Sequence, residues 1–190
     1  MFTMLRPALT LLAAFTVITG IVYPLAVTGF AQVLFPFQAK GSIIPKDGKP
    51  VGSALIGQHF DDPRYFWGRP SATTPFPYNA AASAGSNFGQ ANPALRELVA
   101  ARFAVLRAAD PSNTQLVPVD LVTASASGLD PHLSPLAAEF QIGRVARARG
   151  LDEARVRALV ADHTEEPTFG LLGERRVNVL RLNLELNVLP

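Results

Sequence analysis

The chain has 190 residues, room for one domain of ordinary size plus a short appendage, so one folded soluble unit is expected. Seventeen Lys+Arg against fifteen Asp+Glu leave a formal charge of +2, and the basic residues are spread rather than gathered beside aromatics, which argues against a nucleic-acid partner. There is no cysteine, so a thiol nucleophile, a cysteine-ligated zinc site and a disulfide framework are all excluded.

Residues 7–39 carry no charge, and the part from Leu9 to Phe30 is dominated by Leu, Ala, Val, Ile and Phe. As a helix those residues would cover about 33 Å, enough to span the hydrocarbon core of a bilayer. Pro7 suits a first helical turn, whereas Pro24 lies inside the span and is expected to kink it. A cleaved signal peptide is the competing reading, with Gly29-Phe30-Ala31 as a loose cleavage site. The apolar run is longer than the core of a signal, which favours a retained anchor. Thr16, Gly20, Pro24 and Thr28 recur every four residues, a small and weakly polar stripe of the kind that lets a partner helix approach closely. Arg6 lies on one side of the span and Lys40, Lys46 and Lys49 on the other, so charge does not decide the orientation.

Beyond the anchor, a short apolar strand is expected over Val51 to Gln58, then a loop-rich stretch to Gln90 whose length suits an interaction surface. Asn92 caps a helix with Pro93 at its first position, a stripe of Leu95, Leu98, Val99, Arg102 and Leu106, and an end at Asp110-Pro111. Leu116 to Ser125 reads as a strand with Pro118 at an edge or bulge. Ser134 and Pro135 open a helix that runs to Arg149 and stops at Gly150, and another begins at Asp152 with Val156, Leu159, Val160 and His163 on one face. Residues 177–188 fit both an alternating strand and a helical stripe, and the strand is preferred. The fold class expected is α+β: one N-terminal transmembrane helix, with its tail over residues 1–36, and one soluble mixed domain over 37–190.

Chemistry is harder to find. The Gly48-Lys49 step lacks the glycine spacing of a phosphate-binding loop, and the Asp-Lys-Thr-Gly-Thr phosphorylation signature of P-type ATPases is absent. His59, His132 and His163 are scattered, and Asp61 and Asp62 beside His59 read as a solvated turn rather than a metal site. Ser83, Ser125 and Ser127 lack a Gly-x-Ser-x-Gly elbow. His163 on an apolar helix face reads as a satisfied, half-buried histidine. Two segments stand out: Phe66, Trp67 and Arg69 in an aromatic loop, residue types that anchor interfaces, and the Ser- and Gly-rich turn from Thr123 to Pro135. Their structural readings are a small core under a long loop and an ordinary turn before a helix.

Several motifs in order resemble one family: Arg6-Pro7-Ala8, Thr19-Gly20 and Tyr23-Pro24, then Leu55-Ile56-Gly57-Gln58, Phe66-Trp67-Gly68-Arg69-Pro70-Ser71-Ala72 and Pro77-Tyr78-Asn79. Gly85-Ser86-Asn87 and Asn92-Pro93 follow. The longest runs from Val119 through Thr123-Ala124-Ser125 to Asp130-Pro131-His132, and His163-Thr164-Glu165 and Val177-Asn178-Val179-Leu180 close the series. The chain resembles KdpC, the C subunit of the Kdp potassium-transporting P-type ATPase, over nearly its whole length.

That resemblance implies an accessory, non-catalytic subunit of a bacterial inner-membrane complex, single-pass, with its soluble domain on the periplasmic or extracellular side. The implied partners are a channel-like potassium-selecting subunit, a P-type ATPase subunit that holds the catalytic site, a small membrane peptide and the lipid bilayer. Thr16, Gly20, Pro24, Thr28, Phe66, Trp67 and Arg69 are then candidate subunit contacts. The family is also described as a catalytic chaperone that raises the ATP affinity of the hydrolytic subunit through a glycine-rich stretch, which would fall here on Ser83, Gly85, Ser86 and Asn87. Ala84 stands where relatives often have glycine, and an exported loop cannot meet cytoplasmic ATP, so ATP is expected through the complex rather than as a cofactor of this chain. Arg175 replaces a frequent proline, and only a local loop change is expected. The alternatives are a nucleotide-responsive regulator, or a membrane-anchored hydrolase using Ser125 or Ser127 with His132 and Asp130.

Overall fold

The structure, a computed structural model, describes residues 2–189. They form two compact units, the first ending at Val51 and the second beginning at Gly52.

The first unit is built on one uninterrupted helix, Leu5–Leu34, of 30 residues. It comprises α1 (Leu5–Val17), a π-helical turn (Ile18–Val22) and α2 (Tyr23–Leu34). No residue of the helix is buried by protein, so Leu12, Phe15, Leu25 and Phe30 present bare apolar surface along it. Such a surface is stable only in lipid or against other apolar helices. The break expected at Pro24 takes the form of the π turn. Pro24 has no N–H for the Gly20 carbonyl, and the Tyr23 N–H bonds instead to Ile18 O, five residues back. Phe35 ends the helix because the following proline excludes it from the helical region, and a single turn, α3 (Pro36–Ala39), follows. Strands β1 (Ile43–Lys46) and β2 (Lys49–Ser53) then pair across Asp47 and Gly48, both at positive φ, as a two-residue hairpin requires.

The second unit packs helices α4 (Pro93–Ala109), α5 (Pro135–Arg149), α6 (Glu153–Asp162) and α7 (Val179–Leu186) with a small antiparallel sheet. That sheet has β5 (Arg176–Asn178) between β3 (His132–Leu133) and β4 (Thr164–Glu165), with Leu133 and Thr164 both opposite Val177. The expected caps all form: the Asn92, Ser134 and Asp152 side chains accept from the backbone of their first turns, and Gly150 closes α5 at φ 67°. Helix α5 is the centre of the core, burying Ala137, Phe140, Ile142 and Val145 against Val156 and Val160 of α6 and Val179, Leu182 and Leu186 of α7. Helix α4 contributes Leu106 as its one buried residue among those described; of its expected stripe Leu95, Val99 and Arg102 are half-buried, and Leu98 alone is exposed.

Three expectations are corrected. The strand placed over Val51 to Gln58 ends at Ser53, where the chain turns back on itself through a Ser53–Ile56 bridge. Leu116 to Ser125 is not a strand: its one regular element is a 3-10 turn, Val119–Leu121, after Pro118, and the Thr123 hydroxyl donates back to Val119 O. Residues 177–188 leave β5 as helix α7 rather than continuing as strand. Asn178 caps that helix by accepting from the Arg181 N–H at 3.1 Å, and the buried positions 179, 182, 183 and 186 follow helical spacing.

Candidate functional site

The Phe66-Trp67 segment lies outside the strands of the described residues, and in a core every backbone polar group needs a partner. Two buried side-chain amides supply them. Asn183 of α7 accepts from the Phe66 N–H at 2.9 Å and donates to Phe66 O at 3.0 Å, while Gln141 of α5 does the same for Trp67 at 2.8 and 3.1 Å. Each amide imitates a neighbouring strand. Phe66 is 0% and Trp67 5% exposed, so these aromatics belong to the main core, not to a presented surface. The Trp67 indole donates to Asp62 O at 2.9 Å, and the guanidinium groups of Arg144 and Arg102 lie over its ring, 4.3 and 5.5 Å from the centroid. Arg144 bonds the carbonyls of Pro63 and Tyr65 and the Gln141 amide, and burial lowers its pKa to about 10, still charged at neutral pH.

Arg69, the third aromatic-loop candidate, leaves the core. Its guanidinium pairs with Asp130 at 3.2 Å and donates to Ala124 O, and its Nε is buried with no hydrogen-bond partner among the described residues. Asp130 also accepts from the His132 N–H at 3.0 Å and lies 3.4 Å from His132 Nδ1. Burial alone would push the Asp130 carboxyl up, but the His132 bonds and the Arg69 charge outweigh it and hold the group below the usual carboxylate range.

The loop from Pro70 to Asn87 is stitched onto this turn. Ser71 donates to Gly128 O at 2.7 Å and accepts from the Tyr78 N–H, and the Tyr78 hydroxyl donates to Arg69 O at 2.6 Å. Burial pushes the Tyr78 pKa to about 12. Ser83 donates its hydroxyl, and Ala84 its N–H, to Ser127 O, each at 3.0 Å. Gly85 lies so close to Ala126 that an added Cβ would sit 2.6 Å from its carbonyl oxygen, and Asn87 is at φ 52°. Gly85 and Ser86 line a groove of about 640 Å³ with Leu95, Leu98 and Val105, in which Arg102 is the one charged residue among those described.

The other chemical candidates are engaged in turns. No hydrogen bond among the described residues joins Ser125 or Ser127 to His132, and the Ser127 hydroxyl accepts from the Leu129 N–H. His59 and Asp61 are 3.9 Å apart and exposed, while Arg64 holds Asp62, its carboxyl lowered to about 2 by that hydrogen bond. The described residues contain no cluster of three or more His, Asp or Glu suited to a metal ion. The His163 ring lies 3.0 Å from Leu159 O at the end of α6. Arg175 forms an ion pair with Glu166 at 2.9 Å, and no sequence motif announced it.

The membrane stripe gains from the π turn. In a pure α-helix, positions four apart drift about 40° per step, so Thr16, Gly20, Pro24 and Thr28 would spread over about 120°. One extra residue accommodated in the π turn returns about 100°, which brings the four near a common line. A Cβ on Gly20 would meet nothing within 4 Å, as expected on a helix that the rest of the described chain does not cover.

A family model described as KdpC: K+-transporting ATPase, c chain matches residues 5–188. The chain is 65% identical over 189 residues to a protein of Polaromonas naphthalenivorans named potassium-transporting ATPase KdpC subunit, covering 100% of this chain and 96% of that one. Proteins of the same name from Sorangium cellulosum and Variovorax paradoxus are 64% and 62% identical over 187 residues, covering 98% of this chain and 98% and 97% of theirs. The chain therefore belongs to the KdpC family, the c chain of K+-transporting ATPases.

Proposed function

We propose that this accessory subunit of the potassium-transporting ATPase acts by docking, assembling and stabilising the complex, while the ATP-hydrolysing site lies on another chain. Residues 1–36 are the tail and membrane helix, and 37–190 the domain carried by it. The observation that supports this most is the contrast between a bare 30-residue apolar helix and a domain whose Asn183, Gln141 and Ser83 side chains are spent on its own backbone. The stripe of Thr16, Gly20, Pro24 and Thr28 is the helix contact, and close approach of a partner helix there depends on small residues. Phe66 and Trp67 serve docking indirectly, by fixing the loop that ends at Arg69. The channel-like subunit, the P-type ATPase subunit and the small membrane peptide are the partners, in the bacterial inner membrane with the domain on the extracytoplasmic side.

Direct nucleotide binding at Ser83, Gly85, Ser86 and Asn87 is the weaker reading. Ser83 is already bonded to Ser127, and the groove beside Gly85 is apolar where a triphosphate needs several donors and cations. Affinity purification of the tagged chain from membranes tests the docking role: a P-type ATPase subunit should copurify, and Gly20→Leu should reduce its recovery. Recovery of the wild-type chain alone would refute it. Because the chain has no cysteine, Ser86→Cys offers a unique thiol. Labelling of intact cells by an impermeant maleimide is expected, and labelling only after permeabilisation would place the domain inside the cell and reopen contact with ATP.

A further inference from the structure

The connection between β4 and β5 exposes what a solvated loop hides. Residues 167–173 read Pro-Thr-Phe-Gly-Leu-Leu-Gly, and Phe169, Leu171 and Leu172 are 90%, 86% and 63% exposed. The tip is nonetheless ordered. Thr168 and Leu172 exchange N–H to carbonyl bonds, both 2.9 Å, and the Gly170 N–H donates to Pro167 O at 2.8 Å. Phe169 holds φ 57°, a left-handed conformation unfavourable for a residue with a Cβ, and its ring still finds no cover.

The base of the tip is charged but paired. Arg176 meets Glu165 at 3.0 Å, Arg175 meets Glu166 at 2.9 Å, and Arg181 adds a second cation 3.7 Å from Glu165. Next to it is a hollow of about 510 Å³, bordered by Glu174 to Arg176 and, across it, by Val119 and Leu136, which are also largely exposed.

We propose that residues 167–173 are a preformed apolar prong that seats in a nonpolar crevice of another protein subunit of the potassium-transporting assembly. This rests on the reading of the chain as a docked subunit. A second copy of the chain is a poor occupant: three side chains supply roughly 400–500 Å², short of the ~800 Å² per partner of a stable free-standing interface. A lipid surface is a poor one too. Interfacial anchors ring their apolar residues with excess Lys and Arg, whereas here Glu165, Glu166 and Glu174 balance Arg175, Arg176 and Arg181, leaving no basic excess. A small, neutral, rigid contact is useful where the partner is already close, and a shared membrane helix provides that effective concentration.

Leu171→Cys gives the full chain a single thiol at the tip. In the purified complex its reaction with a hydrophilic maleimide should be about tenfold slower than in the same chain alone, and a benzophenone attached there should crosslink to another protein subunit. Equal reaction rates, or crosslinks only to lipid or only to a second copy, would overturn the prong while leaving copurification of the complex intact. Phe169→Ser with Leu171→Ser should lower retention of the chain in the washed complex, and unchanged retention would also overturn it. Failure of the wild-type chain to copurify would instead sink the docked-subunit reading and the prong with it.

Discussion

Replacing Asn183 by leucine would remove the amide that completes the Phe66 backbone while nearly preserving side-chain volume. Two groups are then stranded, the Phe66 N–H and its carbonyl, now bonded at 2.9 and 3.0 Å inside a residue with no exposure. An unsatisfied buried backbone group costs about 1–3 kcal/mol, so the pair costs about 4. Burial of the added methyl groups returns about 1 kcal/mol, for a net loss of about 3. In a domain of this size that lowers Tm by about 9 °C. Trp67 is the chain's one tryptophan and sits beside the lesion, so its fluorescence during thermal unfolding of the full chain in detergent is the natural assay. Asn183→Asp should be worse at neutral pH, because it keeps the acceptor for Phe66 N–H but turns a second carboxylate oxygen toward Phe66 O. Its stability should recover as the pH falls and the carboxyl regains a proton to donate. A Tm for Asn183→Leu within about 2 °C of wild type would refute the strand-mimic account.

Tyr78 is pushed to about 12 in the folded chain against 10.0 unfolded, so its contribution is fully present below pH 10 and is lost as pH rises toward 12, up to about 2–3 kcal/mol. Denaturant midpoints at rising pH should fall in the wild type and fall less in Tyr78→Phe; parallel curves would contradict the burial of this hydroxyl. Gly128→Ala should cost about 2–4 kcal/mol, since φ is 67° and an added Cβ would sit 2.7 Å from Ala84 O, and limited proteolysis should then cut the loop from Pro70 to Asn87. Pro24→Ala restores an N–H and permits an ordinary α turn, rotating the two halves of the stripe apart by about 100° and weakening recovery of partner subunits. Undiminished recovery would mean the π turn does not set the contact.

The helix starts were legible because their signals are local. Asn92-Pro93, Ser134-Pro135 and Asp152 each place a short side chain where the first free N–H groups lie, and Gly150 takes the left-handed stop. What failed depended on distant partners. Leu182, Leu184 and Leu186 alternate with polar residues as on a strand, yet Asn183 is buried because it serves a segment 117 residues away, and Gln141 serves one 74 away. The chain's aromatic loop drew attention by composition, but nothing within it shows that amides from α5 and α7 enclose it. Pro24 signalled a disturbance of the membrane helix without saying that it would be a π turn. Asp47-Gly48, set between Lys46 and Lys49, is a local hairpin signal, since both residues tolerate the positive φ that the two-residue turn requires.

Two arginines, Arg144 buried and Arg102 half-buried, hold the aromatic loop in a domain with so little sheet. Neither Arg102 nor Arg144 forms an ion pair among the described residues; their guanidinium groups bond the carbonyls of Gly68, Leu121, Pro63 and Tyr65 and cover Trp67. A planar group with five donors reaches several carbonyls at once, which a lysine ammonium cannot match in the same geometry. Such bonds lie inside the fold, where salt screens them little, so the loop leading to Arg69 and Asp130 keeps its shape across ionic strengths that would loosen surface pairs.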